Sequence, residues 1–124
     1  MGITGINLTL TVDYVSKLDK SENKTIWKLG VLNSEAYAFV SEKVATKTLK
    51  AMLDVVRFGL KGFENFKDSD GKDIKFDSVS FPLGDYNYNI VANNIIKIIP
   101  MEVIIELGAE ILKLSRLSEA EVKN

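Results

Sequence analysis

The sequence predicts an α+β fold, antiparallel strands and hairpins packed against two or three helices, in one compact domain spanning residues 1–124. Apolar residues alternate with period two from Ile6 to Tyr14 and again from Thr25 to Leu32, the pattern of half-buried strands. Helical spacing then dominates residues 34–60, and it returns in the strongly apolar last third of the chain.

The first strand is expected over residues 6–15, with Ile6, Leu8, Leu10, Val12 and Tyr14 on one face and Thr9 and Thr11 between them. Lys17–Asn23 is polar and turn-forming, so the next strand, residues 25–32, pairs back as an antiparallel hairpin. Trp27 on that strand is expected in the core. Asn33 or Ser34 then offers an N-cap. The helical pattern over 34–60 is one helix, or two broken near Thr46–Thr48, where β-branched residues weaken propensity. Leu49, Met52, Leu53, Val56 and Leu60 share one face of it. Lys43, Lys47, Lys50, Arg57 and Lys61 share the other, with Asp54 among them. Gly59 and Gly62 suit its C-terminus.

Residues 66–81 read as a second hairpin, because Asp70-Gly71 tolerates the positive φ angles of a tight turn. Residues 82–89, PLGDYNYN, read as a polar aromatic loop, with Tyr86 and Tyr88 exposed among Asp85, Asn87 and Asn89. Helices follow at about 90–98 and 100–115, the latter opened by Pro100. Ser118 and Glu121 form a capping-box pattern for a short terminal helix or turn. In the 100–115 helix, Met101, Ile104, Ile105, Leu107, Ile111, Leu112 and Leu114 cover more than one face. That breadth predicts burial against a partner as well as against the core.

Composition narrows the chemistry. The chain has no histidine and no cysteine, which removes the commonest general base, histidine-based metal sites, thiolate nucleophiles and disulfides. No glycine-rich phosphate loop is present. Sixteen basic and 17 acidic residues leave a net charge of −1, so no global field draws the protein to nucleic acid or anionic lipid. No stretch approaches the ~18 apolar residues of a membrane span, and the N-terminal segment lacks the pattern of a secretory signal. A soluble, intracellular protein without a cofactor is the expectation.

Three charged clusters remain as candidates. Asp68, Asp70, Asp73 and Asp77 offer carboxylates to a hard cation, but counted from Asp68 an EF-hand would need a glutamate where Val79 stands, so a solvated turn is the better reading. Glu102, Glu106 and Glu110 recur every fourth residue and read as the wet side of the last helix. The basic stripe of Lys43, Lys47, Lys50 and Arg57 reads as a solvent face that suits an acidic protein surface better than nucleic acid.

Two segments carry a family resemblance. GLKGFENFKDSDGKDIKF (59–76) and IPMEVIIELGAEILKLSRLSEAEVKN (99–124) resemble small proteins encoded among the structural and assembly genes of tailed bacteriophages, of the tail-assembly chaperone or head–tail component type. LDKSENKTIWKLGVL (18–32) fits the same proteins, and Phe63 stands where they more often carry Trp. The resemblance rests on folding and turn residues and brings no catalytic residue with it. It implies a non-enzymatic virion assembly protein in the host-cell cytoplasm, or incorporated in the particle. Its partners would be other copies of itself or other phage structural proteins. The contact residues expected on this reading are Tyr86, Tyr88, Ile104, Ile111, Leu112, Lys43, Lys47, Lys50 and Arg57. The alternative is a small phage inhibitor that binds and blocks a host defence complex.

Overall fold

The computed structural model describes residues 2–3, 5–44 and 49–122, with side chains throughout except at 42–44 and 117–122. In chain order its elements are β1 (Thr11–Tyr14), β2 (Ile26–Gly30), α1 (Ser34–Val44), α2 (Leu49–Gly59), β3 (Leu60–Glu64), β4 (Ser78–Leu83), β5 (Tyr86–Val91), α3 (Asn93–Ile96) and α4 (Met101–Val122). The α+β expectation holds. An antiparallel sheet of order β1-β2-β3 and a separate β4-β5 ribbon pack against the helices.

β2 is the centre of the larger sheet, and its alternation sorts its residues between core and solvent. Trp27 and Leu29 are buried, whereas Lys28 points out and pairs with Asp13 (2.9 Å) and Glu64 (3.3 Å) on the two flanking strands. Trp27 stands opposite Phe63 in register, their rings edge-on at 5.8 Å, and Phe66 closes on the indole at 4.9 Å. A bulge between Lys28 and Leu29 shifts the β2–β3 register, bringing Leu29 opposite Leu60.

The helices cover this core from one side. α2 packs on α4, and α4 also lies against β2. Ile104, Leu107 and Ile111 of α4 are each 0% exposed. Burial of such a side chain is worth about 1.5–3 kcal/mol relative to leaving it in water. The α2–α4 approach is close because Gly59 has no side chain: a Cβ there would lie 2.4 Å from Ile111 Cγ2. The buried part of the α4 apolar face is therefore covered within the chain, by α2 and the sheet, while Ile105 stays exposed. Buried Ser115 ties α4 to the connection after β2, its hydroxyl accepting the Leu32 amide (2.9 Å) and donating to the Ile111 carbonyl (2.8 Å).

Several boundaries differ from the sequence expectation, each for a local reason. The strand expected over 6–15 shortens to Thr11–Tyr14, because Asn7 turns the chain: its Oδ1 accepts the Thr9 amide and hydroxyl, and its carbonyl accepts the Leu10 amide. The 34–60 pattern yields α1 and α2, and the break expected near Thr46–Thr48 lies outside the described residues. Of the apolar face expected there, Val56 and Leu60 are buried and Met52 and Leu53 pack half-buried on the core, whereas Leu49 is exposed; Ala51, Val55 and Phe58 of α2 are buried as well. Residues 60–64, expected to end the helix, form β3.

Asp70-Gly71 does turn the chain, with Gly71 at φ 80° and bonded back to Asp68, but its arms pair briefly, through Asp68–Lys72, Lys67–Asp73 and Phe66–Ile74, and form no named strand. The longer hairpin is β4–β5, where residues 82–89 were expected as a loop and 90–98 as a helix. Only Asn93–Ile96 of the latter is helical. α4 runs on to Val122, so Ser118 and Glu121 lie within it rather than opening a separate element.

Candidate functional site

The β4–β5 hairpin closes on a two-residue turn, Gly84-Asp85, in which Gly84 takes φ 62°. A left-handed glycine in first place is the type II′ arrangement, whose twist matches that of the flanking strands. The turn carries Tyr86 and Tyr88 on one face of β5, their rings 4.8 Å apart. Tyr86 is 61% exposed. Tyr88 is half-buried and edge-on to Phe58 at 5.5 Å, so Tyr86 extends outward from an anchored neighbour.

The Tyr88 hydroxyl is held at the start of α1. It accepts from Asn33 Nδ2 (2.8 Å) and donates to Glu35 Oε1 (2.8 Å). Asn33 is also the α1 N-cap, its Oδ1 accepting the Ala36 amide at 2.8 Å. Burial and the adjacent Glu35 carboxylate push the Tyr88 phenol up, outweighing the bond from Asn33. It is therefore a neutral hydrogen-bonding group. Glu35 lies under the turn, where a Cβ on Gly84 would be 2.7 Å from its Oε2.

Between β5, the start of α1 and the β2–β3 end of the larger sheet lies an open cleft of about 440 Å³. Leu8, 59% exposed, stands on one side of it and Tyr86 on another. Asn87 and Asn89 form the β5 edge, and Lys61 reaches in from β3. The Lys61 stem crosses Gly30, where a Cβ would meet its Cε at 2.9 Å. Its Nζ donates to the Phe58 carbonyl at 2.8 Å. Although Lys61 as a residue is exposed, burial around its amine pushes its pKa down. Among the described residues, no carboxylate pairs with it.

The expected contact residues separate into different environments. Tyr86 and Tyr88 line this cleft. Ile104 and Ile111 are both wholly buried within the chain, so in this packing neither side chain presents surface. Leu112 is half-buried against the same core. Lys50 is exposed on α2. Arg57 is held by Asp54 (3.7 Å) and Asn93 (2.5 Å), so it belongs to a local network rather than to an open stripe. Lys47 and the side chain of Lys43 lie outside what is described.

The acidic clusters also resolve. Asp68 accepts the Asp70 and Lys72 amides, Asp73 pairs with Lys67, and Asp77 accepts the Ser78 amide. Among the described residues no three such groups gather closely enough to hold a metal ion. The expectation that Glu106 lies on a wet ridge is corrected: it is half-buried, accepting from the Tyr14 hydroxyl (2.6 Å), the Ser16 hydroxyl (2.5 Å) and the Lys17 amide (2.8 Å). Among the described residues no helix is long and apolar enough to cross a membrane.

Sequence reasoning found the tyrosines but missed Leu8, Asn33, Glu35 and Lys61 as their neighbours. One signal was available: Gly84-Asp85 flanked by Phe81, Leu83, Tyr86 and Tyr88 is the pattern of a tight hairpin. The sequence matches no family model, no curated protein and no solved structure.

Proposed function

We propose that this chain is a non-enzymatic bacteriophage assembly protein, of the tail or head–tail type, acting through protein–protein contacts and self-association on the face that carries Leu8 and Tyr86. The phage setting comes from the resemblance of segments 59–76 and 99–124. One observation supports the contact role: exposed Leu8 and Tyr86 converge on an open cleft whose floor is tied down by the Tyr88–Asn33–Glu35 hydrogen bonds. Exposed tyrosine on a rigid base is favoured at interfaces, because it contributes large contact area while losing little side-chain freedom. On this reading the protein works in the host-cell cytoplasm or within the particle.

Light scattering coupled to gel filtration tests this reading. The wild-type chain of 13.8 kDa is expected as a discrete oligomer, and Tyr86→Ala is expected to shift it towards the monomer with its thermal midpoint unchanged. A wild-type protein that stays monomeric at every concentration overturns self-association.

A further inference from the structure

The β5 edge, together with Lys61, has the features of a site for an extended peptide. In a hairpin with a two-residue turn the pair flanking the turn, Leu83–Tyr86, is hydrogen-bonded, and pair types alternate from there. Pro82–Asn87 and Ser80–Asn89 are then the non-hydrogen-bonded pairs, whose main-chain N–H and C=O groups point away from the hairpin. Pro82 fits this register, since its missing N–H falls on the outer edge of β4, where proline blocks strand addition. The outer edge of β5 has no such block. Among the described residues, no backbone or side-chain group beyond the hairpin bonds the main chain of Asn87 or Asn89. This edge opens into the cleft that Lys61 enters.

We propose that the cleft binds an acidic, extended segment of a partner protein, which adds as a strand to β5 and places one carboxylate on Lys61. The inference rests on the cleft being a protein-contact site and names the chemistry of what it takes. Asn87 and Asn89 supply the outward main-chain groups, and the stretch of ligand alongside them is about three residues, roughly 10 Å long. Lys61 keeps two ammonium protons beyond its bond to Phe58, and it has no carboxylate partner among the described residues. A carboxylate there gains a charge-assisted bond in a partly desolvated place. Leu8 and Tyr86 offer apolar contact to ligand side chains on either side. Glu35, under the Gly84 turn, repels a second acid at that end, so the site selects an isolated carboxylate rather than a polyanion.

The probe is a displayed library of random nonapeptides, panned on the full chain. Enriched peptides are then synthesised with a fluorescein label and titrated by anisotropy. Enrichment of peptides with one Asp or Glu is expected, with binding weakened about tenfold or more in Lys61→Gln. Asn89→Pro, which deletes an outward N–H of β5, is expected to weaken binding as much. Ser80→Pro, which deletes an outward N–H on the opposite edge, is expected to leave it unchanged. If Asn89→Pro does not fold, slowed hydrogen exchange of the Asn87 and Asn89 amides on peptide addition replaces it.

Failure to enrich acidic peptides, binding indifferent to Lys61→Gln, or unprotected Asn87 and Asn89 amides overturns the inference. Intact self-association alongside any of these overturns this inference alone. Peptide binding by a strictly monomeric protein overturns self-association alone.

Discussion

The Tyr14 hydroxyl donates to Glu106 across 92 positions of sequence, at 2.6 Å, and it joins the edge strand of the larger sheet to the second turn of α4. The same carboxylate accepts from the Ser16 hydroxyl and the Lys17 amide, so one side chain gathers the whole exit of β1. Burial raises the Glu106 carboxyl, but the bonds from Ser16, Tyr14 and the Lys17 amide, with the Lys17 charge, outweigh it and hold the group below its usual value.

That direction fixes the pH dependence. A carboxyl depressed in the folded state contributes stability that is fully present above its unfolded pKa of about 4.3 and is lost as pH falls through the folded value. Glu106→Gln is expected to lose about 1–3 kcal/mol at pH 7, because an amide cannot accept all three bonds as a carboxylate does. Below about pH 4 the wild type approaches the variant. Urea unfolding at both pH values checks this, and parallel stability curves for the two proteins would refute it.

The fate of Glu106 shows what the sequence carries and what it hides. Its spacing with Glu102 and Glu110 was legible, but Tyr14 and Ser16 lie too far away in sequence for any local pattern to reveal the bonds. Trp27 and Leu29 were legible because β2 alternates and its period decides its burial. β4–β5 was obscured because Ser78, Ser80, Pro82, Asn87 and Asn89 give its outward positions the composition of a loop. For α4 the apolar breadth was legible, and within it Ile104, Leu107 and Ile111 are buried while Ile105 is exposed. Periodicity reports how much of a helix is covered, never which element covers it. At the cleft, Tyr86 and Tyr88 announced themselves by type, whereas Lys61 and Leu8 join them only through tertiary packing.

Gly59 lets α2 approach α4 closely. Gly59→Ala places a methyl group 2.4 Å from Ile111 Cγ2 and 2.6 Å from its Cδ1, so the helices must part or Ile111 must leave its rotamer. A loss of about 1–3 kcal/mol is expected. Ile111→Ala alone is expected to cost about 2–5 kcal/mol through the cavity it leaves. In the double variant the added methyl enters that cavity, and the combined loss should fall short of the sum by about 1 kcal/mol. Denaturant midpoints of the four proteins form the cycle, and simple additivity would show that the two sites do not meet.

Ser115 answers for a buried main-chain donor. Ser115→Ala removes the acceptor of the Leu32 amide while keeping the helix, and leaves that N–H unsatisfied beside the core. The expected cost is about 1–3 kcal/mol, larger than a serine-to-alanine change on an exposed helix face, where alanine's better propensity favours the variant. Hydrogen exchange localises the effect. The Leu32 amide should exchange faster in Ser115→Ala than in the wild type, and an unchanged rate would mean that another acceptor replaces the hydroxyl.

Ile104 and Ile105 are neighbours in sequence with opposite surroundings, 0% and 38% exposed. If the α4 apolar face were a partner surface, Ile104→Ala would weaken association and leave folding nearly intact. In this packing the change empties a core site beneath α2 and the sheet, so about 2–5 kcal/mol of folding stability should go. Ile105→Ala deletes a half-open side chain and should cost under ~1 kcal/mol. Urea unfolding of both variants separates the cases, and solution mass at matched concentration reports association independently. Equal folding losses would mean that Ile105 is covered as deeply as Ile104. A selective loss of mass in Ile104→Ala, with the folding midpoint kept, would return α4 to the interface.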